Sequence, residues 1–129
     1  MTSRTRHEMI KQTRSKLIVT ARQAFAEHGF AQTSMDDLTA AANLTRGGLY
    51  HHFGNKEGLL LAVIEQIEQE VIERLQLIAS KAINPWDNFR FRCRGYLELS
   101  REPEIKQIIL KDARAIFGDV PLAAQSIGI

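Results

Sequence analysis

The densest group of side chains able to do chemistry lies between Leu44 and Leu60, LTRGGLYHHFGNKEGLL. Within it Arg46, Tyr50, His51, His52 and Lys56 offer a guanidinium, a phenol, two imidazoles and an ammonium. These groups donate to anionic oxygen; none is a nucleophile set beside a base. Hydrolytic chemistry would need other residues. His7-Glu8 opens like a zinc-protease His-Glu-x-x-His, but Lys11 stands where the second imidazole is required. The sequence has no Gly-x-Ser-x-Gly and no Gly-rich loop closed by Lys-Ser/Thr. His51 and His52 lack partners at a metal-ligand spacing. Cys93 falls on an apolar helical stripe, where a buried small hydrophobe is its expected role. No catalytic residue, metal site or cofactor is expected, and the chain is read as a non-enzyme.

Charge supports a polyanion as the natural partner. The formal net charge is only +2, but residues 1–56 hold eight Lys and Arg against four acids, and the rest hold nine against eleven. All four histidines also lie in the first part. A basic front end followed by an acidic remainder points the front end towards phosphate. The single cysteine forbids an internal disulfide and fits a reducing compartment. No apolar run approaches the ~20 residues that cross a bilayer. The first residues are basic without an apolar stretch behind them, so they do not read as a secretory signal. A cytoplasmic protein with no membrane partner is expected.

These groups must be held by helices, since no strand alternation appears anywhere and the chain reads as all-α. Leu17, Ile18, Ala21, Ala24 and Phe25 form one stripe of an amphipathic helix expected from about residue 10 to Gly29. Thr33-Ser34 followed by Asp36 and Asp37 is a helix-start signature, because hydroxyls and acids satisfy free N–H groups at the positive dipole end. That second helix is expected over 34–42, stopped by Asn43, a residue tolerant of the left-handed region. Thr45 caps a third helix over 45–52, although Gly47 and Gly48 cost it about 1 kcal/mol each relative to Ala. Gly54-Asn55 stops it. Asn55 caps a long fourth helix, whose Leu60, Ile64, Ile67, Val71, Leu75 and Ile78 share a face as far as about Ser80. Pro85 opens a fifth helix with Trp86, Phe89, Cys93, Tyr96 and Leu97 at helical spacing. Pro103 opens a sixth, with Ile105, Ile108, Ile109 and Ile116 inside. The tail PLAAQSIGI is apolar and unpatterned.

Two short helices joined by a tight turn, with a basic helix ahead of them, make a helix-turn-helix. At this point "IVTARQAFAEHGFAQTSMDDLTAAANLTRGGLYHHFGNKEGLL", roughly residues 18–60, resembles the tetracycline-repressor (TetR) family of transcriptional regulators. The family pattern is an apolar first helix, a glycine, a Thr-Thr/Ser start, two small residues and a turn. A Gly-x-Leu-Tyr-x-His/Tyr-Phe recognition helix and Lys-Glu follow. "PWDNFRFRCRGYLELSREPEIKQIILKDARAIFG" is similar to the first part of that family's regulatory domain.

The resemblance implies a DNA-binding domain over 1–54, with a basic arm at 1–10. A shortened helical ligand-binding and dimerisation domain would occupy 55–129. It implies a ligand-responsive repressor that binds a palindromic operator as a homodimer and answers to a small hydrophobic effector. Trp86, Phe89 and Tyr96, with Phe91 and Phe117, are candidates for that pocket, unless the aromatic stripe is simply core. The other reading is a truncated regulator, or a helical protein-interaction module that uses the shape without DNA.

On the resemblance, Tyr50 and His51 contact phosphate. Arg46 either reads guanine with its fork or holds a phosphate. Gly47 and Gly48 let the backbone approach the duplex, or permit tight packing on the second helix. Thr45 caps the helix and can touch a phosphate. Lys56 clamps phosphate on one side, and Thr33 or Ser34 does so on the other. Leu49 and Phe53 are expected in the core, while His52 lies about 100° round the helix from His51. Arg4, Arg6, Lys11, Arg14 and Lys16 form a solvated tail able to add phosphate or minor-groove contacts.

Overall fold

The computed structural model describes residues 5–118, and every regular element among them is helical. Two compact units follow one another, Met1–Val63 and Ile64–Ile129. The PLAAQSIGI tail and Arg4 lie outside the described residues.

The first unit contains α1 (Arg6–His28), α2 (Met35–Ala42), α3 (Arg46–Phe53) and the opening turns of α4 (Lys56–Ala79). Each short helix starts where a side chain takes up a free N–H. The Ser34 hydroxyl accepts from Asp37 N–H at 3.0 Å and the Thr45 hydroxyl from Gly48 N–H at 3.0 Å. The Asn55 side chain accepts from Gly58 N–H at 2.7 Å. Caps of this kind contribute about 1 kcal/mol each. Asn43 ends α2 in the left-handed region, φ 56° and ψ 46°. The core of the unit is Leu17, Ala21 and Phe25 of α1, Leu38 and Ala42 of α2, Leu49 of α3, and Leu59, Leu60 and Val63 of α4. Phe30 closes it, its ring 5.5 Å from that of Phe25.

Two expectations change here. α1 begins at Arg6 rather than near residue 10, so Arg6 joins Lys11, Arg14 and Lys16 on the helix, and none of the four is a loose arm. The cause is a reciprocal capping box. The Thr5 hydroxyl accepts from Glu8 N–H at 3.2 Å, and the Glu8 carboxylate accepts from Thr5 N–H at 3.3 Å. Phe53, expected in the core, is only half-buried.

The second unit holds the remainder of α4, then α5 (Pro85–Leu99), α6 (Pro103–Ile105), a π-helical stretch Lys106–Ala113 and α7 (Arg114–Phe117). Its interior is Ile64, Ile67, Val71 and Leu75 of α4, with Leu99, Ile105, Ile108, Ile109 and Ala113. The expected single sixth helix is thus broken in hydrogen-bond period. Ile108 and Ala113 would stand about 140° apart on an α-helix at ~100° per residue. The wider i→i+5 turn brings both to the interior. Ile116, expected inside, is exposed.

The largest departure is α5. Its apolar stripe faces solvent: Trp86 is 67% and Leu97 66% exposed, Phe89 is also exposed, and Cys93 is half-buried rather than core. The opposite face is the one that packs, through Gly95, where a Cβ would come within 2.8 Å of Leu75 Cδ2 and 3.0 Å of Ile78 Cδ1. A small residue, not the aromatic stripe, sets how closely α5 lies on α4.

Candidate nucleic-acid interface

The interface is built around the exposed start of α3. Thr45 is committed as its cap, and Leu49 is fully buried and anchors the helix to the unit. Between them Arg46 and Gly47 are exposed, and Tyr50 and His51 follow on the surface. A Cβ on Gly47 would meet nothing within 4 Å, so packing against α2 does not explain that glycine. Gly48 differs. A Cβ there would stand 3.2 Å from the Thr45 hydroxyl that caps the helix, so glycine at 48 also protects the cap.

Arg46 does not wave freely. Its Nη1 lies 3.8 Å from Asp36 Oδ1, and its Cζ is 5.8 Å from the centre of the Tyr50 ring. Hydrogen bonding with Tyr50 and then the Asp36 charge raise its pKa above the ordinary arginine value. The fork thus lies along the open face of α3, with Asp36 as its counter-charge.

The flanks are formed by helix starts. Ser34 is exposed as the cap of α2. Lys56, the first residue of α4, rests its Nζ 4.3 Å from the centre of the Phe30 ring, a cation–π contact that steers the ammonium. Thr33 is corrected. It is only 4% exposed and its hydroxyl donates to the Gly29 carbonyl at 2.8 Å, so it closes the α1–α2 turn from inside. Of the pair Thr33 and Ser34, only Ser34 is exposed.

The far end of α3 is different in character. His51 remains exposed, but the His52 ring is half-buried, 5.9 Å edge-on from His51. Burial first, then the charges of His51 and Arg14, lower the pKa of His52. Arg14 donates from Nη1 to the His52 carbonyl at 3.1 Å and places its Cζ 4.5 Å from the centre of the Phe53 ring. Gly58 completes this corner, because a Cβ there would press on the Phe53 carbonyl oxygen. Sequence reasoning placed Arg14 only among the cations of a solvated tail, and did not bring Asp36 or Gly58 to α3. The capping box that starts α1 at Arg6 had a local signal, Thr-x-x-Glu.

Of the residues expected to line an effector pocket, Trp86 and Phe89 stack on the exposed side of α5 with ring centres 6.1 Å apart, and Tyr96 is half-buried on the same helix. The hollow at the start of α5 is lined by Ala82, Ile83, Asn84, Pro85 and Asn88, with no aromatic. Among the described residues no group of three or more His, Cys, Asp or Glu could hold a metal ion, and no helix is long and apolar enough to cross a membrane.

Comparison with known proteins places this geometry among regulators. The family described as bacterial regulatory proteins, tetR family, matches residues 17–63, and a tetracyclin repressor-like C-terminal domain matches residues 86–127. A TetR-family transcriptional regulator from Pectobacterium atrosepticum has a crystal structure that superposes with a TM-score of 0.81 at 57% identity, covering 95% of this chain and 63% of that one. The probable acrEF/envCD operon repressor of Escherichia coli is 49% identical over 59 residues, 46% of this chain and 26% of its own. The HTH-type transcriptional regulator TtgR of Pseudomonas putida is 36% identical over 69 residues, 54% of this chain and 32% of its own. The matches thus span about a quarter to a third of these two relatives and somewhat under two thirds of the Pectobacterium protein.

Proposed function

This chain belongs to the TetR family of bacterial regulatory proteins, and from that premise we propose that it is a DNA-binding repressor answering to a small ligand. The observation that carries the reading is the free N-terminal half of α3. Arg46, Gly47, Tyr50 and His51 are all exposed on a helix whose Leu49 is fully buried, with Ser34 and Lys56 at helix starts on its flanks. Recognition helices read base edges with their N-terminal residues, while flanking helix starts and cations hold phosphates. Arg46 reads a base, because it is the one long side chain at the open end of the helix. Tyr50, His51, Ser34 and Lys56 hold the backbone.

Repression is supported by the Escherichia coli relative, a probable operon repressor, and a homodimer on a palindromic operator by the two-fold logic of helix-turn-helix sites. Response to a ligand rests on the C-terminal family match and on α4, one helix shared by both units, along which a displacement in the second unit passes to the first.

The test is binding selection from random duplexes, with the mass of the selected complex measured in solution. A selected palindrome bound by two copies is the expected result. Arg46→Ala should cost about 1–3 kcal/mol and relax preference at one base position, whereas Lys56→Ala or Tyr50→Phe should weaken all duplexes evenly. If no duplex outcompetes random DNA at moderate salt, the reading fails.

A further inference from the structure

We propose that Arg14 is a positioning residue for the recognition helix: it clamps the C-terminal end of α3 onto α1 without itself touching DNA. The proposal rests on the DNA-binding reading above. α3 is eight residues long and begins Arg-Gly-Gly, and a helix so short and so rich in glycine does not hold its own shape. Its two ends need partners from outside. Thr45 serves the first end.

At the second end the carbonyls are taken one by one. Tyr50 accepts from Gly54 N–H at 2.8 Å, and Phe53 from Asn55 N–H at 2.9 Å. The His52 carbonyl takes Arg14 Nη1 at 3.1 Å, from a residue 38 positions earlier in the chain. The same guanidinium covers the Phe53 ring at 4.5 Å. A hydrogen bond, a positive charge at the negative end of the helix dipole and a cation–π contact therefore converge on one side chain. Lysine could supply the charge but not the planar fork that meets carbonyl and ring together.

Geometry separates this part from that of a phosphate ligand. The clamp holds the end of α3 remote from Arg46 and Gly47, about 9 Å away at ~1.5 Å per residue. With the far end loose, a tilt of about 10° moves the reading end by about 1.6 Å over that length. A shift of that size spoils bidentate contact with a base edge but leaves the attraction of cations for phosphate nearly intact.

Three variants of the full chain test the clamp: Arg14→Gln, Arg14→Lys, and Lys16→Gln as an exposed cation two residues on, on nearly the opposite side of the helix. In the protein without DNA, amide hydrogen exchange at residues 50–55 should rise at least severalfold in Arg14→Gln, with the core of α1 unchanged. On a selected duplex, Arg14→Gln should bind about tenfold more weakly while random duplex binding and the salt slope stay as in the parent, so that preference is what is lost. Arg14→Lys should recover part of it. A salt slope smaller by about 0.9 with equal weakening on all duplexes would make Arg14 a phosphate ligand and overturn the proposal. Unchanged exchange at residues 50–55 would overturn it as well. Failure of the parent chain itself to prefer any duplex would sink the DNA-binding reading instead, and the exchange result would still decide whether Arg14 clamps α3.

Discussion

Alanine at Gly47 and alanine at Gly58 are expected to move the protein in opposite directions, although both glycines lie in the first turn of a helix. At Gly47 the added methyl meets nothing within 4 Å. What remains is the lower conformational entropy of the unfolded chain, worth about 0.5–1 kcal/mol of added stability. For a domain of this size that corresponds to a rise of roughly 2–8 °C in Tm. At Gly58 the same gain is offset by a Cβ driven onto the Phe53 carbonyl oxygen, with Asn55 Oδ1 at 3.3 Å. Backbone cannot swing aside as a flexible side chain can, so the 53–55 turn must move and the Asn55 cap is lost with it. Overpacking of about 1–3 kcal/mol together with a cap of about 1 kcal/mol outweighs the gain and leaves a net loss of roughly 1–3 kcal/mol. Thermal unfolding followed by circular dichroism should separate the two variants clearly. DNA binding adds the decisive measurement. Gly47→Ala should be more stable yet bind the selected duplex at least about threefold more weakly, because the methyl stands where the backbone must approach the groove. Greater stability with undiminished binding would refute close approach as the reason for Gly47. Parent-like stability in Gly58→Ala would refute the tight corner between α3 and α4.

Asp36→Asn removes an exposed ion pair worth no more than about 1 kcal/mol and a favourable charge at the start of α2, so stability should fall slightly. Affinity for duplex DNA should nevertheless rise about two- to fivefold at low salt, with the gain fading as salt is added, because Arg46 is released and an anion leaves the face; equal affinity across a salt series would place Asp36 away from the duplex. His52 has a lowered pKa in the folded unit, so the unfolded chain binds its proton more readily. Stability from this residue is therefore full above the ordinary imidazole value near 6.5 and declines as pH falls from there towards the folded value. Melting curves from pH 7.5 to 5 should show that decline, and His52→Gln should flatten part of it; an identical pH profile in the variant would show that the ring is not the group responsible.

What could be read from the sequence divides by the range of the interaction. The starts of α2, α3 and α4 were legible because a cap is chemistry between residues three apart, as in Ser34 with Asp37, and that of α5 because proline suits the first helical position. The buried face of the first part of α4 was legible for the same reason, since helical period alone lines up Leu60, Ile64, Ile67 and Val71. The exposed face of α3 could be read as a place for phosphate because its residue types are donors without a catalytic partner. Thr33 could not be separated from Ser34 in this way. Both are small hydroxyl residues at a helix start, and only the return of Gly29 to the same corner decides that Thr33 turns inward. The contacts of Arg14 with His52 and Phe53, and of Asp36 with Arg46, were illegible because the fold brings these partners together.

The π-helical stretch lies beyond such reading too, since a change from i→i+4 to i→i+5 leaves no mark in residue type. α5 shows the limit most clearly. Trp86, Phe89, Cys93 and Leu97 do form one stripe, as their spacing requires, but period identifies a face without saying which side of the helix the neighbour occupies. Gly95 settles that on the opposite side, since the approach to Leu75 and Ile78 leaves no room for a Cβ unless those side chains shift. The same reasoning applies in the first unit, where Gly58 fixes the corner that carries Lys56. At both corners a missing side chain, more than any apolar residue, determines what the larger groups around it can reach.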